Sequence, residues 1–233
     1  MTASTTNLAG QPRAPHSGTR RRDWLIPAGL VLLSLVPVVA GADRVASLAV
    51  GVETTPENAR FTGMPAPVVI HIVSATVYSL LGAFQFQPSF RARHPKWHRV
   101  AGRVLVPTGL ATALSGLWMT QFYDLPAHDG GLLPAARWVF GVGMLAAIVL
   151  GFVAVLRRRF DAHRAWMMRG YAIALGAGTQ VITMSVWVAI GGNPEATKAA
   201  PMIAGWVINL AVAEWIIRRH VLRTARAPRR MQA

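Results

Sequence analysis

The chain has 233 residues, a formal net charge of +15 and no cysteine. With 53% hydrophobic and only 14% charged residues, it has the composition of a membrane protein rather than of a soluble domain. The missing cysteines exclude disulfides, iron–sulfur clusters, thiolate metal sites and cysteine nucleophiles.

Residues 1–22 are polar, rich in Pro, Ser, Thr and Gly, and close on Arg20, Arg21 and Arg22. They read as a disordered basic cytoplasmic tail. Residues 23–219 read as the transmembrane domain and residues 220–233 as a second basic tail. Six apolar runs are predicted to span: Trp24 to Ala42, Pro67 to Phe86, Val100 to Phe122, Leu133 to Leu156, Ala165 to Ile190 and Ala200 to Ile217. Each is close to the roughly 20 residues that cross a hydrocarbon core. The expected fold class is all-α, an integral membrane helical bundle of about six transmembrane helices. The first run also resembles a secretory signal ending in "VVAGA", but its length favours a retained span, kinked by Pro27 and Pro37.

The longest connection, Asp43 to Ala66, has the length to fold over the outer mouth, whereas "YDLPAHDGG" and "GGNPEATKAA" carry plain turn chemistry. With the N-terminus inside, 20 of the 24 Lys and Arg residues fall on the cytoplasmic side, leaving Arg44, Arg60, Arg137 and Lys198 outside. That bias predicts both termini in the cytoplasm. Basic residues that bracket apolar spans do not form the single folded face that nucleic acid needs, so nucleic acid is not an expected partner and membrane lipid is.

The second and third spans form one hairpin through "FRARHPKWHR", and the fourth and fifth another through "RRRFDAHR". Both run outside to inside to outside. An internal duplication explains this, and so does recurring positive-inside charge.

Span three is predicted to start at Pro95, suited to the first helical position, and span five behind Asp161 as N-cap. His98 and Arg99, and likewise His163 and Arg164, then lie in first turns. A helix N-terminus is already electropositive, so these entrances attract anions. Arg103 and Arg169 lie about one turn deeper, where charge is costly without a partner. Glu214 is the intramembrane acid that can meet them. Gln85, Asn209 and Glu214 complete an expected inner-leaflet pocket for an anionic group, against the plainer reading that lipid phosphates satisfy the arginines.

His71 lies near the outer start of span two, about 20 to 25 Å from the inner end at 1.5 Å per residue. It cannot share an iron with His98 or His163. An inner haem b would use His98 and His163; an outer divalent metal would use His71 and His128; the plain reading makes His71 an interhelical hydrogen-bond donor. The sequence has no phosphate-binding loop, hydrolase motif or HExxH, so no enzyme class follows.

The segments "HIVSATVYSLLGAFQF", "HRVAGRV", "FDAHRAWMMRGYAI" and "WVINLAVAEWIIRR", in this order, resemble domain of unknown function 2306, a family of bacterial multi-pass membrane proteins. The resemblance covers about Pro67 to Arg219. It implies a helical domain of the bacterial inner membrane with recurring positions at His71, Gln85, His98, Arg99, Arg103, His163, Arg164, Trp166, Met167, Arg169, Asn209, Glu214 and Trp215. It implies no activity, and Gln180 stands where members often carry arginine. The expected function is binding of an anionic ligand, lipid head group or transported substrate at the basic inner pocket. The alternative is a haem- or quinone-linked redox protein.

Overall fold

Long apolar runs in a medium without water can satisfy their backbone only within the segment, so they become helices. The computed structural model describes residues 17–126, 129, 131–193 and 198–226. Nine α-helices appear there: α1 (Ser17–Ala49), α2 (Ala59–Gly63), α3 (Pro65–Gly82), α4 (Pro88–Arg93), α5 (Pro95–Phe122), α6 (Leu132–Leu156), α7 (Phe160–Ala174), α8 (Gly176–Ala189) and α9 (Ala199–Arg226). One 3₁₀ turn, Ala83–Phe86, follows α3. Five helices are long and apolar enough to cross a membrane; α7 and α8 reach that length only together, bent by 45° at the break, and taken as one span they make a sixth candidate.

Five of the six expected spans are single runs with one or both ends extended, while the fifth, Ala165 to Ile190, is broken at Leu175 into α7 and α8 and ends at Ala189. Helix α1 starts at Ser17, because the arginines before Trp24 are good helix formers that extend the apolar run. The expected tail therefore shrinks to residues 1–16, which lie outside the described residues. At the other terminus α9 continues to Arg226, again through residues of good helix propensity. Asp43 and Arg44 lie inside α1, so the loop to α3 is shorter than expected and holds the small helix α2. Pro95 opens α5 as predicted. Asp161 does not cap α7: Arg159 holds the cap position, and Asp161 sits exposed in the first turn.

Consecutive crossings pack antiparallel. His71 meets Thr112 and Ser115 between α3 and α5, Leu117 fills the space over Gly141 between α5 and α6, and Met167 covers Gly151 between α6 and α7. Helix α1 packs on α3 and α8. The two hairpins differ at their turns: the first spreads over the 3₁₀ turn and α4, while the second closes tightly through Arg158 at φ 58°.

Tyr78, Leu105, Met144, Ile148, Tyr171 and Leu175 form the centre of the core. The Tyr171 hydroxyl donates to the Ser79 carbonyl at 2.7 Å, so this polar tip is satisfied away from water. Leu25, Val39, Val139, Val207 and Leu222 point outward, as lipid-facing residues should.

Candidate functional site

The bend between α7 and α8 organises the interior. Glycine is a poor helix former, and Gly176 and Gly178 follow the bend at Leu175. Both are required by close approach: a Cβ on Gly176 would sit 2.3 Å from the Trp206 indole, and one on Gly178 would sit 2.1 Å from the Leu33 carbonyl of α1. Asn209 of α9 serves the bend from the side. Its Nδ2 donates to the Ala172 carbonyl at 3.1 Å, and its Oδ1 accepts from Thr179 at 2.8 Å. Gln180 donates to the Met202 carbonyl at 2.9 Å, a second tie between α8 and α9 about two turns before Asn209 on α9.

Above the bend lies a cavity of about 480 Å³. Ile173, Leu175, Met144 and Ser79 surround its deep end, and Phe140, Trp206, Met202 and Ile72 line its apolar wall. That size is within the roughly 300–1,000 Å³ of small-molecule sites. His71 also lines it. Its Nδ1 lies 3.0 Å from the Thr112 carbonyl, which only accepts, so Nδ1 carries a proton and a neutral ring keeps Nε2 as an acceptor. This agrees with the plain reading of His71 as an interhelical donor.

The mouth of the cavity is charged. Asp129, 3% exposed, joins Arg137 at 2.8 Å and Lys198 at 2.6 Å, and so ties the α5–α6 loop to α6 and to the segment before α9. Burial works against ionisation of this carboxyl, but Lys198 and Arg137 outweigh it and hold the group below its ordinary value. Across the mouth, Arg60 and Arg44 both stack on Phe61, at 4.6 and 4.9 Å from the ring centroid. Phe61 in turn meets Tyr123, whose hydroxyl donates to the Met64 carbonyl at 2.7 Å.

The residues of the expected anionic pocket lie at the opposite end. Of the arginines that Glu214 was expected to serve, it pairs with Arg169, through Nε at 2.5 Å and Nη2 at 3.1 Å, with the guanidinium over Trp166 at 4.7 Å. His163 donates from Nδ1 to the Gly151 carbonyl at 2.9 Å, and His98 lies within electrostatic reach of it. Buried polar atoms of Gln85 (Nε2) and His98 (Nδ1) have no hydrogen-bond partner among the described residues. Arg99 and Arg103 are exposed on α5, Arg164 is half-buried, and Asn209 serves the bend instead. Trp215 holds Arg219 at 3.8 Å.

A pocket of about 110 Å³ at this end is lined by Trp24, Phe84, Phe90 and His94 among others, and by neither His98 nor His163. That is below the ordinary range of ligand sites. This pocket is therefore not a place for a haem held by His98 and His163. The proposed outer metal pair includes His128, which lies outside the described residues; among the described residues no three His, Asp or Glu side chains cluster for a metal.

The charge count pointed away from the mouth. Its residues were visible as the four basic exceptions to positive-inside, but only the tertiary fold collects them around one opening.

Five apolar helices, a bent pair that makes a sixth candidate span and a polar-mouthed interior cavity define a multi-pass α-helical membrane protein. The chain belongs to the family of predicted membrane proteins DUF2306, whose profile matches residues 68–217. No curated protein and no solved structure matches it.

Proposed function

We propose that this protein binds a small molecule in the cavity above the α7–α8 bend, as a membrane carrier or receptor. The observation that supports this reading is the cavity itself, about 480 Å³ with an apolar wall, a polar mouth and His71 along its side. A helix broken near the middle of the bundle is the feature transporters use to place backbone and polar groups beside a substrate. In the same reading, the basic end faces the cytoplasm and Arg99 and Arg103, both exposed, hold phosphates of the inner leaflet.

Because the chain has no cysteine, a Thr76→Cys variant carries a single thiol on the cavity wall. A membrane-impermeant thiol reagent added from the Asp129 side is expected to label it, and an Ala147→Cys variant, 2% exposed, is expected to stay unlabelled. Equal resistance at both positions would overturn the cavity reading. Reporter fusions after Arg158 and after Arg226 are expected in the cytoplasm, and an external Arg158 would overturn the orientation.

A further inference from the structure

Helix α3 turns its two sides to different surroundings. Ile70 and Val73 are exposed toward lipid, whereas His71, Ala75 and Ser79, one turn apart, line the cavity. The His71 ring is held by one edge. Its Nδ1 lies 3.0 Å from the Thr112 carbonyl and 3.1 Å from the Ser115 hydroxyl, and that hydroxyl gives its own hydrogen to the Ala111 carbonyl at 2.6 Å, so both neighbours accept from Nδ1. Gly116 lets α5 reach the ring, since a Cβ there would stand 3.2 Å from Cε1. Nε2 has no hydrogen-bond partner among the described residues, yet it is not sealed in protein, and the cavity is the space that its ring lines. Other polar groups of the shaft are turned back on the protein: Thr112 and Thr120 donate to the Thr108 and Gly116 carbonyls, and Gln180 donates to Met202. An acceptor without a donor therefore faces an apolar wall of Leu117, Phe140, Met144 and Trp206. A buried acceptor of this kind is ordinarily met by a donor.

We propose that the cavity takes a neutral, largely apolar alcohol, whose hydroxyl donates to His71 Nε2 and whose body lies along Leu117, Phe140, Met144 and Trp206. The tautomer of the ring selects this class. With its proton on Nδ1, a neutral imidazole offers Nε2 only as an acceptor. A carboxylate would set acceptor against acceptor there. An ammonium has donors, but it would carry its charge into an apolar shaft where Asp129, the acid among the described lining residues, is already held by Arg137 and Lys198. An alcohol brings a donor without a charge. This rests on the cavity being the ligand site, and the experiment separates the two claims.

The Thr76→Cys variant, with its lone thiol on the cavity wall, is placed in nanodiscs of zwitterionic lipid and labelled in the presence of decanol or of decyl methyl ether. The ether keeps the apolar body and an oxygen but has no donor, and both concentrations are counted per lipid so that partitioning cancels. Decanol is expected to protect the thiol at a concentration roughly three- to tenfold lower than the ether, the range of one net hydrogen bond. His71→Asn added to this background keeps an amide N–H for the Thr112 carbonyl and removes the acceptor at the Nε2 position, so the two protection curves are expected to coincide. Equal protection by decanol and ether with His71 in place overturns the alcohol class, and so does stronger protection by decanoate or decylamine than by decanol; either result leaves the cavity standing. A decanol preference that survives His71→Asn overturns His71 as the acceptor. Should His71→Asn fail to fold, the comparison with His71 in place still decides the class. A thiol that labels but is protected by none of these compounds overturns the apolar occupant, and a thiol that resists labelling overturns the cavity reading itself.

Discussion

Arg169 of α7 and Glu214 of α9 form a two-point ion pair, with the arginine also lying over the Trp166 ring. The side chains are 27% and 33% exposed, so the pair is neither sealed in the core nor free in solvent. Its place matters more than its depth. Asn209, five residues earlier on α9, grips the same α7 at Ala172, so two polar contacts hold α9 along the half-helix that leads into the bend.

Glu214→Gln is expected to lower the stability of the detergent-solubilised protein by roughly 1–3 kcal/mol, between the values for exposed and for buried pairs. Arg169→Lys keeps the charge but loses the two-point geometry and is expected to cost part of that. A double-mutant cycle on thermal unfolding checks this. Additive losses from Glu214→Gln and Arg169→Gln would show that the pair contributes no coupling.

Asn209→Leu leaves the Ala172 carbonyl and the Thr179 hydroxyl without their partner, a loss of about 1–3 kcal/mol for each buried group orphaned. The expected result is a lower Tm than for Asn209→Asp. The comparison is made at a pH low enough to protonate the acid, which then keeps an acceptor for Thr179 and an O–H donor toward Ala172, whereas the ionised form would set acceptor against acceptor there. An unchanged Tm in the leucine variant would mean that the bend does not depend on α9.

Gly178→Ala drives a Cβ onto the Leu33 carbonyl of α1, at 2.1 Å, and backbone cannot swing aside as a side chain does. Overpacking of this kind costs about 1–3 kcal/mol or more, and here it pushes α1 from α8. Gly29→Ala meets open space and is expected to be neutral or slightly stabilising by helix propensity. Thermal unfolding of the two variants side by side tests whether α1 is docked as a member of the bundle. Equal behaviour would refute the close contact.

Run length was enough to find every crossing, because a span needs length and apolarity and little else. That Glu214 pairs with an arginine of this end was also legible, since it is one acid among several arginines, but its choice of Arg169 over Arg103 was not. The bend was not. Its cause is a pair of glycines whose importance lies in the approach of Trp206 and of the Leu33 carbonyl, and neither neighbour is close in sequence. Depth along the sequence groups Asn209 with the basic pocket, whereas its two bonds belong to the bend. The mouth failed to stand out for a related reason. Arg60, Asp129, Arg137 and Lys198 come from four separate segments, and a count of charges by membrane side cannot show that they converge.

Asp129 is the residue at which the mouth depends on pH. Its carboxyl is held below the ordinary value because Lys198 and Arg137 outweigh the burial that opposes ionisation. A depressed folded-state value stabilises the protein fully above the unfolded value, about 3.9 for aspartate, and that stability is lost as pH falls through the lower folded value. The Tm gap between the natural protein and Asp129→Asn is therefore expected to stay constant from about pH 5 to 8 and to close below about pH 4. Its size is expected to be about 1–3 kcal/mol, below the full cost of breaking a sealed pair because Arg137 and Lys198 are 24% and 23% exposed and regain some hydration. Arg137→Gln is expected to cost less than Asp129→Asn, since Lys198 still meets the carboxylate at 2.6 Å. Thermal unfolding of the three proteins across pH 3 to 8 measures this directly. A gap that widens on acidification would reverse the sign, and would mean that the carboxyl is protonated more readily in the folded protein than in the unfolded chain.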